Sequence, residues 1–85
     1  MQISYSPKFL KNYRKLSYQV KKLAAEKGEI FKVNHYDSRL STHKLKGPFE
    51  GYYAFSLNNK FRVIFTFEDS GNVKLHAVGN HDIYE

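Results

Sequence analysis

Gly51-Tyr52-Tyr53-Ala54-Phe55-Ser56-Leu57-Asn58-Asn59-Lys60-Phe61-Arg62-Val63-Ile64-Phe65-Thr66-Phe67 is the stretch on which the fold turns. Tyr53, Phe55 and Leu57 alternate with Ala54 and Ser56, and Phe61, Val63, Phe65 and Phe67 alternate with Arg62, Ile64 and Thr66. A period of two with aromatic and β-branched residues predicts two strands, and Asn58-Asn59-Lys60 supplies the hairpin turn between them. Asp69-Ser70-Gly71-Asn72 reads as a second turn. The run after it sets Val73, Leu75 and Ala77 on one face and Lys74, His76 and Val78 on the other, until Gly79 breaks the pattern. The expectation is a meander of three antiparallel strands. If the aromatic face turns inward, Arg62 points to the opposite, open face beside Ala54 and Ser56.

Upstream the period lengthens. Phe9, Tyr13, Leu16, Val20 and Leu23 are spaced by four, three, four and three residues, which places them on one helical face. Ile3 and Tyr5 predict a short strand before it, and Ser6-Pro7 reads as a cap followed by proline at the first helical position. Ser17 can cap a second helix, with Ala24, Ile30 and Phe31 carrying the apolar stripe to about Asn34 and Gly28 weakening its middle. The polar stretch from Asn34 to Leu40 reads as a connection that delivers Thr42 to Gly47 to a sheet edge. The predicted fold is α+β, with a short N-terminal strand and two antiparallel helices packed on one face of an antiparallel β-sheet, in a single domain over residues 1–85.

At 85 residues one modest core is all the chain can bury, and with no cysteine no disulfide or thiolate metal site supplements it. Seven Tyr and seven Phe must carry the packing. The first residues lack a charged leader followed by an apolar run, and no segment has the length of a membrane span, so a soluble cytoplasmic protein is expected. Fourteen Lys and Arg against eight Asp and Glu leave a formal charge of +6, which favours a polyanion or an acidic protein as partner.

The chemistry-bearing residues sit in three places: Thr42-His43-Lys44-Leu45-Lys46-Gly47, the strand arginine Arg62, and the ending His81-Asp82-Ile83-Tyr84-Glu85. Cleaving RNA by internal transfer requires a base for the 2′-OH proton, cations for the phosphorane and an acid for the leaving 5′-oxygen. Histidine suits the proton-transfer roles and Lys or Arg the charge, so His43, Lys44, Lys46, Arg62, His81 and Tyr84 offer all the parts without a cofactor. Each also has an ordinary role. Arg62 can be a solvated face residue or a partner of Glu68, Lys44 and Lys46 surface charge, His43 a capping group, His81 a frayed terminal residue, and Tyr84 an apolar plug. His35, His43, His76 and His81 lie in separate elements and lack metal-ligand spacing, so no zinc site is expected.

Taken in order, Thr42-His43-Lys44-Leu45-Lys46-Gly47, Gly51-Tyr52-Tyr53-Ala54-Phe55-Ser56, Phe61-Arg62-Val63-Ile64-Phe65 and Gly79-Asn80-His81-Asp82-Ile83-Tyr84 resemble the RelE/ParE superfamily of toxin–antitoxin toxins. The likeness is to RelE-type mRNA interferases and their YafQ-like relatives, and it covers nearly the whole chain. It implies a toxin that enters the A site of the 30S ribosomal subunit and cuts mRNA there, and a cognate antitoxin that binds and inactivates it in a hetero-oligomer. Carried over by position, Lys44 and Lys46 match the basic pair of RelE-type members and His43 the histidine of YafQ-like ones. Arg62 matches the strand arginine at the scissile phosphate, His81 the position of a catalytic histidine in YafQ-like members and of a basic residue in RelE-type ones, and Tyr84 the C-terminal aromatic that stacks on or activates the nucleotide. Ser56 and Lys60 depart from the pattern, standing where YafQ-like proteins carry a histidine and an aspartate. The roles implied are His81 as general acid, His43 or Lys44 assisting removal of the 2′-OH proton, Arg62 and Lys46 holding charge on the phosphate, and Tyr84 stacking.

Two other activities fit the same fold. A ParE-type poison of DNA gyrase would have no need of an imidazole near a basic cluster, and a non-catalytic relative would bind RNA or antitoxin without cutting.

Overall fold

The computed structural model describes residues 2–80 and Ile83. In chain order these form strand β1 (Ile3–Tyr5), helix α1 (Pro7–Arg14), helix α2 (Tyr18–Val33), strand β2 (His43–Lys44) and strands β3 (Tyr53–Ser56), β4 (Arg62–Phe67) and β5 (Val73–Gly79). The strands make one sheet in the order β1-β5-β4-β3-β2. The expected meander of β3, β4 and β5 is its antiparallel centre, β2 adds antiparallel to β3, and β1 adds parallel to β5. Two helices packed on one face of this mixed sheet make the predicted α+β architecture.

Local chemistry sets the helix starts. Ser6 Oγ accepts from the Phe9 amide at 3.0 Å with Pro7 at the first helical position, and Ser17 Oγ accepts from the Val20 amide at 3.2 Å. The apolar stripe read from the sequence packs as expected, with Phe9 and Phe31 buried and Tyr13, Leu16, Val20, Leu23, Ala24 and Ile30 lying against the core. Phe31 is its hub: its ring stacks on Phe55 at 4.6 Å and meets the edge of Phe65 at 5.0 Å. Phe61, Val63, Phe65 and Phe67 all join this side of the sheet, as their alternation requires.

The third strand departs from simple alternation. Ile64 pairs with Ala77 but Phe65 pairs with Leu75, so His76 is an extra residue, a β-bulge. The bulge reverses the faces beyond it. Val78, expected on the open side, is buried with Phe65 and Leu75, while Ala77, expected inside, joins Ile64 on the opposite face.

Helix α1 repairs the ladder at that point. Ser6 Oγ donates to the His76 carbonyl at 2.8 Å, and Asn12 Oδ1 accepts from the Val78 amide at 3.2 Å. Both are backbone groups beside the bulge, and leaving them unpaired would carry a desolvation penalty. Ser6 thus caps the helix and satisfies the sheet with one hydroxyl. Ser6→Ala is expected to cost about 2 kcal/mol in urea unfolding, from the lost cap and the orphaned carbonyl together. A loss within the few tenths typical of surface changes would contradict this double role.

Candidate active site on the open face of the sheet

The face turned away from the helices carries three lateral rows of residues. Ser56, Arg62 and Gly79 are in register in the first, His43, Ala54, Ile64 and Ala77 in the second, and Thr66 and Lys74 in the third, beside Tyr52 and His76. Successive rows are about 7 Å apart along the strands and neighbouring strands about 5 Å apart. The face is not bare. Ile83 is buried on Ile64 and Ala77, with Leu45 and Tyr52 packed around this second small core. Ile83 lies so close that a Cβ on Gly79 would stand 2.6 Å from its Cγ2, so any larger residue there would have to displace Ile83.

Arg62 heads β4 and is half-buried, and its side chain makes no ion pair or hydrogen bond with any described residue. Glu68, its conceivable partner, instead accepts from Thr66 Oγ1 at 3.1 Å. Arg62 lines a cavity of about 350 Å³ together with Lys27 of α2, Arg39, Ser41, Ser56, Leu57, Asn58 and Asn59. The 3-10 turn Ser38–Leu40 brings Arg39 there, anchored by fully buried Leu40. Arg39 is held by a fork of two 2.9 Å hydrogen bonds to Asp37, which keeps the Asp37 carboxyl at about 2, well below its usual range.

His43 adjoins this cavity through its wall. Its Nδ1 lies 2.9 Å from the carbonyl oxygen of Ser41, so Nδ1 carries the proton it donates and Nε2 of the neutral ring is left as an acceptor. The ring is exposed on the same face as Arg62. An oriented imidazole with an acceptor nitrogen, two strands and one row from a guanidinium that has no ion pair among the described residues, can take a proton from a hydroxyl whose neighbouring phosphate the guanidinium holds.

Lys44 and Lys46 belong elsewhere. Lys44 is in register with Tyr53, whose neighbours across the sheet face the helices, so alternation turns it away from His43. Both lysines line a second cavity of about 570 Å³ with Glu50, Tyr52 and Tyr53, shaped by Gly47 and Gly51 at φ of +65° and +92°. The structure therefore places Arg62 and His43 on one sheet face, and Lys44 with Lys46 in a separate cavity. His81 and Tyr84 lie outside the described residues.

Sequence reasoning missed His76. Its Nε2 is 2.8 Å from Thr66 Oγ1, and its ring meets Tyr52 edge-on at 5.1 Å. With the Thr66 proton donated to Glu68, the hydroxyl accepts from Nε2–H, so Nε2 is the protonated nitrogen when the ring is neutral. Burial, assisted by the charge of Lys74 and opposed by Glu68, pushes the His76 pKa below its ordinary 6.5. A histidine whose folded pKa is depressed takes its proton more readily when unfolded, so stability is complete above about 6.5 and falls as pH drops below it. The thermal midpoint is expected to decline between neutral pH and pH 5, and His76→Gln to flatten that slope. An unchanged slope in the variant would assign it to other groups.

No family model matches the sequence, and no curated protein sequence does. Solved structures match along nearly the whole chain. The YoeB/ParE toxin of Agrobacterium tumefaciens superposes with a TM-score of 0.80 at 14% identity, covering 95% of this chain and 99% of that one. YoeB in the heterotetrameric YoeB–YefM toxin–antitoxin complex of Staphylococcus aureus gives 0.72 at 24% identity, over 95% and 97%. YafQ of E. coli gives 0.66 at 17% identity, over 98% and 96%. The chain has the fold of these toxins, as the resemblance to the RelE/ParE superfamily implied.

Proposed function

We propose that this chain, built on the fold of the YoeB and YafQ toxins, is the toxin of a toxin–antitoxin pair and an endoribonuclease that cuts mRNA in the ribosomal A site. The observation that carries this reading is the placement on one sheet face of a half-buried Arg62 without an ion pair among the described residues and of His43, whose Nδ1 donates to Ser41 and leaves Nε2 as the acceptor nitrogen.

In this reading the 2′-OH gives its proton to His43 Nε2, and the 2′-oxygen attacks the adjacent phosphorus. Arg62 holds the non-bridging oxygens as negative charge grows on them. The P–O5′ bond breaks, and the leaving oxygen takes a proton from His81. The products are a 2′,3′-cyclic phosphate and a 5′-hydroxyl. Tyr84 stacks on a base, and Lys44 and Lys46, grouped apart from Arg62, hold flanking phosphates. Cytoplasmic action on translating ribosomes follows from the substrate. The S. aureus YoeB–YefM assembly supports an antitoxin partner, and the formal charge of +6 suits one with an acidic segment.

The test is to incubate the protein with ribosomes carrying a defined mRNA codon in the A site and map new 5′ ends by primer extension. Cuts within that codon, absent from an Arg62→Ala, His81→Ala double variant, are expected. If the folded wild-type protein leaves the mRNA intact, the nuclease reading fails, and inhibition of DNA supercoiling would then identify a gyrase poison.

A further inference from the structure

The cavity beside Arg62 is larger than one phosphate contact needs, and two of its cations have no part in the reaction above. Lys27 comes from the middle of α2 and Arg39 from the 3-10 turn, so helix and loop bring two further positive charges to the hairpin end of the sheet. Lys27 Nζ donates to the Arg39 carbonyl at 3.2 Å, which holds the ammonium at the cavity wall with two of its three protons unused among the described residues. Asp37 takes two of the five Arg39 N–H donors and fixes the guanidinium in place. Its pKa is raised by that partner, so it stays ionised.

We propose that Lys27 and Arg39 form a second phosphate subsite, which binds a backbone phosphate of single-stranded RNA next along the strand from the one at Arg62. The RNA then leaves the sheet past the β3–β4 hairpin and runs toward α2. This rests on the RNA reading of the open face. The lining chemistry favours a phosphodiester over an acidic peptide. Leu57 is the one apolar side chain among the eight residues of the wall, so a peptide finds no anchor, while Ser41, Ser56, Asn58 and Asn59 offer neutral hydrogen-bonding groups. The carboxylate-binding fork of Arg39 is already filled by Asp37, and its remaining donors suit the dispersed oxygens of a phosphate.

The experiment uses the intact protein and a fully 2′-O-methylated oligoribonucleotide, which cannot be cut by 2′-OH attack. It therefore reports on binding even if the protein proves to be no nuclease. Affinity is followed by fluorescence anisotropy against salt concentration. Lys27→Gln and Arg39→Gln are each expected to weaken binding several-fold and to flatten the log–log salt slope by up to about 0.7, the contribution of one single-strand phosphate. Lys22→Gln, an exposed charge on the same helix but outside the cavity, should leave the slope unchanged. Matching thermal midpoints confirm that the variants are folded.

An unchanged slope in both cavity variants overturns the proposal, and so does an equal loss in Lys22→Gln, which would signal a general charge effect. Inorganic phosphate is titrated in parallel by NMR. If it shifts the cavity resonances while RNA binding ignores Lys27 and Arg39, the site takes a small anion and the strand path is wrong. If polyglutamate depends on these residues and RNA does not, the partner is an acidic protein.

Discussion

Arg62→Ala is expected to lower A-site cleavage by about a hundredfold to a thousandfold, the usual effect of deleting one oriented donor to a developing oxyanion. Arg62 stands half-buried at the head of the central strand, without a carboxylate partner among the described residues. Its charge is screened less than that of an exposed lysine. Charge on the non-bridging oxygens is greatest in the phosphorane, so the contact strengthens toward the transition state and its loss falls on kcat. Arg62→Lys keeps the charge without the planar fork and should recover part of the rate. Arg62→Ala should not lose stability, since removing a cation that has no ion pair among the described residues from a chain of formal charge +6 reduces self-repulsion. Wild-type cleavage by a folded Arg62→Ala protein would remove this residue from the mechanism.

Phe65→Ala is expected to cost about 3–5 kcal/mol, the range for deleting a large ring from a packed core. Phe65 is fully buried on the central strand, with ring centroids of Phe31, Phe67, Tyr53 and Phe55 at 5.0, 5.3, 5.6 and 5.9 Å. No neighbouring side chain can move in without breaking another of these contacts. A domain of this size has a total stability of about 4–13 kcal/mol, so the variant loses a large share of it and reaches its urea midpoint far earlier, if it folds at all. Phe65→Leu should cost much less because most of the volume is kept. Tyr18→Ala, at a 77% exposed position, should change stability by no more than about 0.5 kcal/mol. A Phe65→Ala loss below about 1 kcal/mol would mean that the aromatic cluster is not the core.

Most of the fold was legible because its signals are local. The alternation from Tyr53 to Phe67, the helical spacing from Phe9 to Leu23 and the caps Ser6 and Ser17 each act within a few residues, and each element formed where they place it. The bulge at His76 was not legible. It is stabilised by Ser6 and Asn12, some 70 and 66 positions away from the carbonyl and amide that they satisfy, and nothing in Val73 to Val78 alone announces them. Hence the faces of Ala77 and Val78 were interchanged, and a half-buried imidazole beside Thr66 and Tyr52 was overlooked.

The candidate site divides along the same line. By itself the sequence determined which side chains could do acid–base or phosphate chemistry, and alternation alone set Arg62 on the face away from the helices, because a strand's side chains must point up and down in turn. Only the tertiary structure decided which of them meet. It carried Lys27 and Arg39 to Arg62, tied the His43 ring to Ser41, moved Lys44 and Lys46 to another cavity, and laid Ile83 over Ile64 and Ala77. These juxtapositions depend on packing between segments distant in the chain, where the burial of Leu40, Phe31 and Ile83 sets positions that no local spacing encodes.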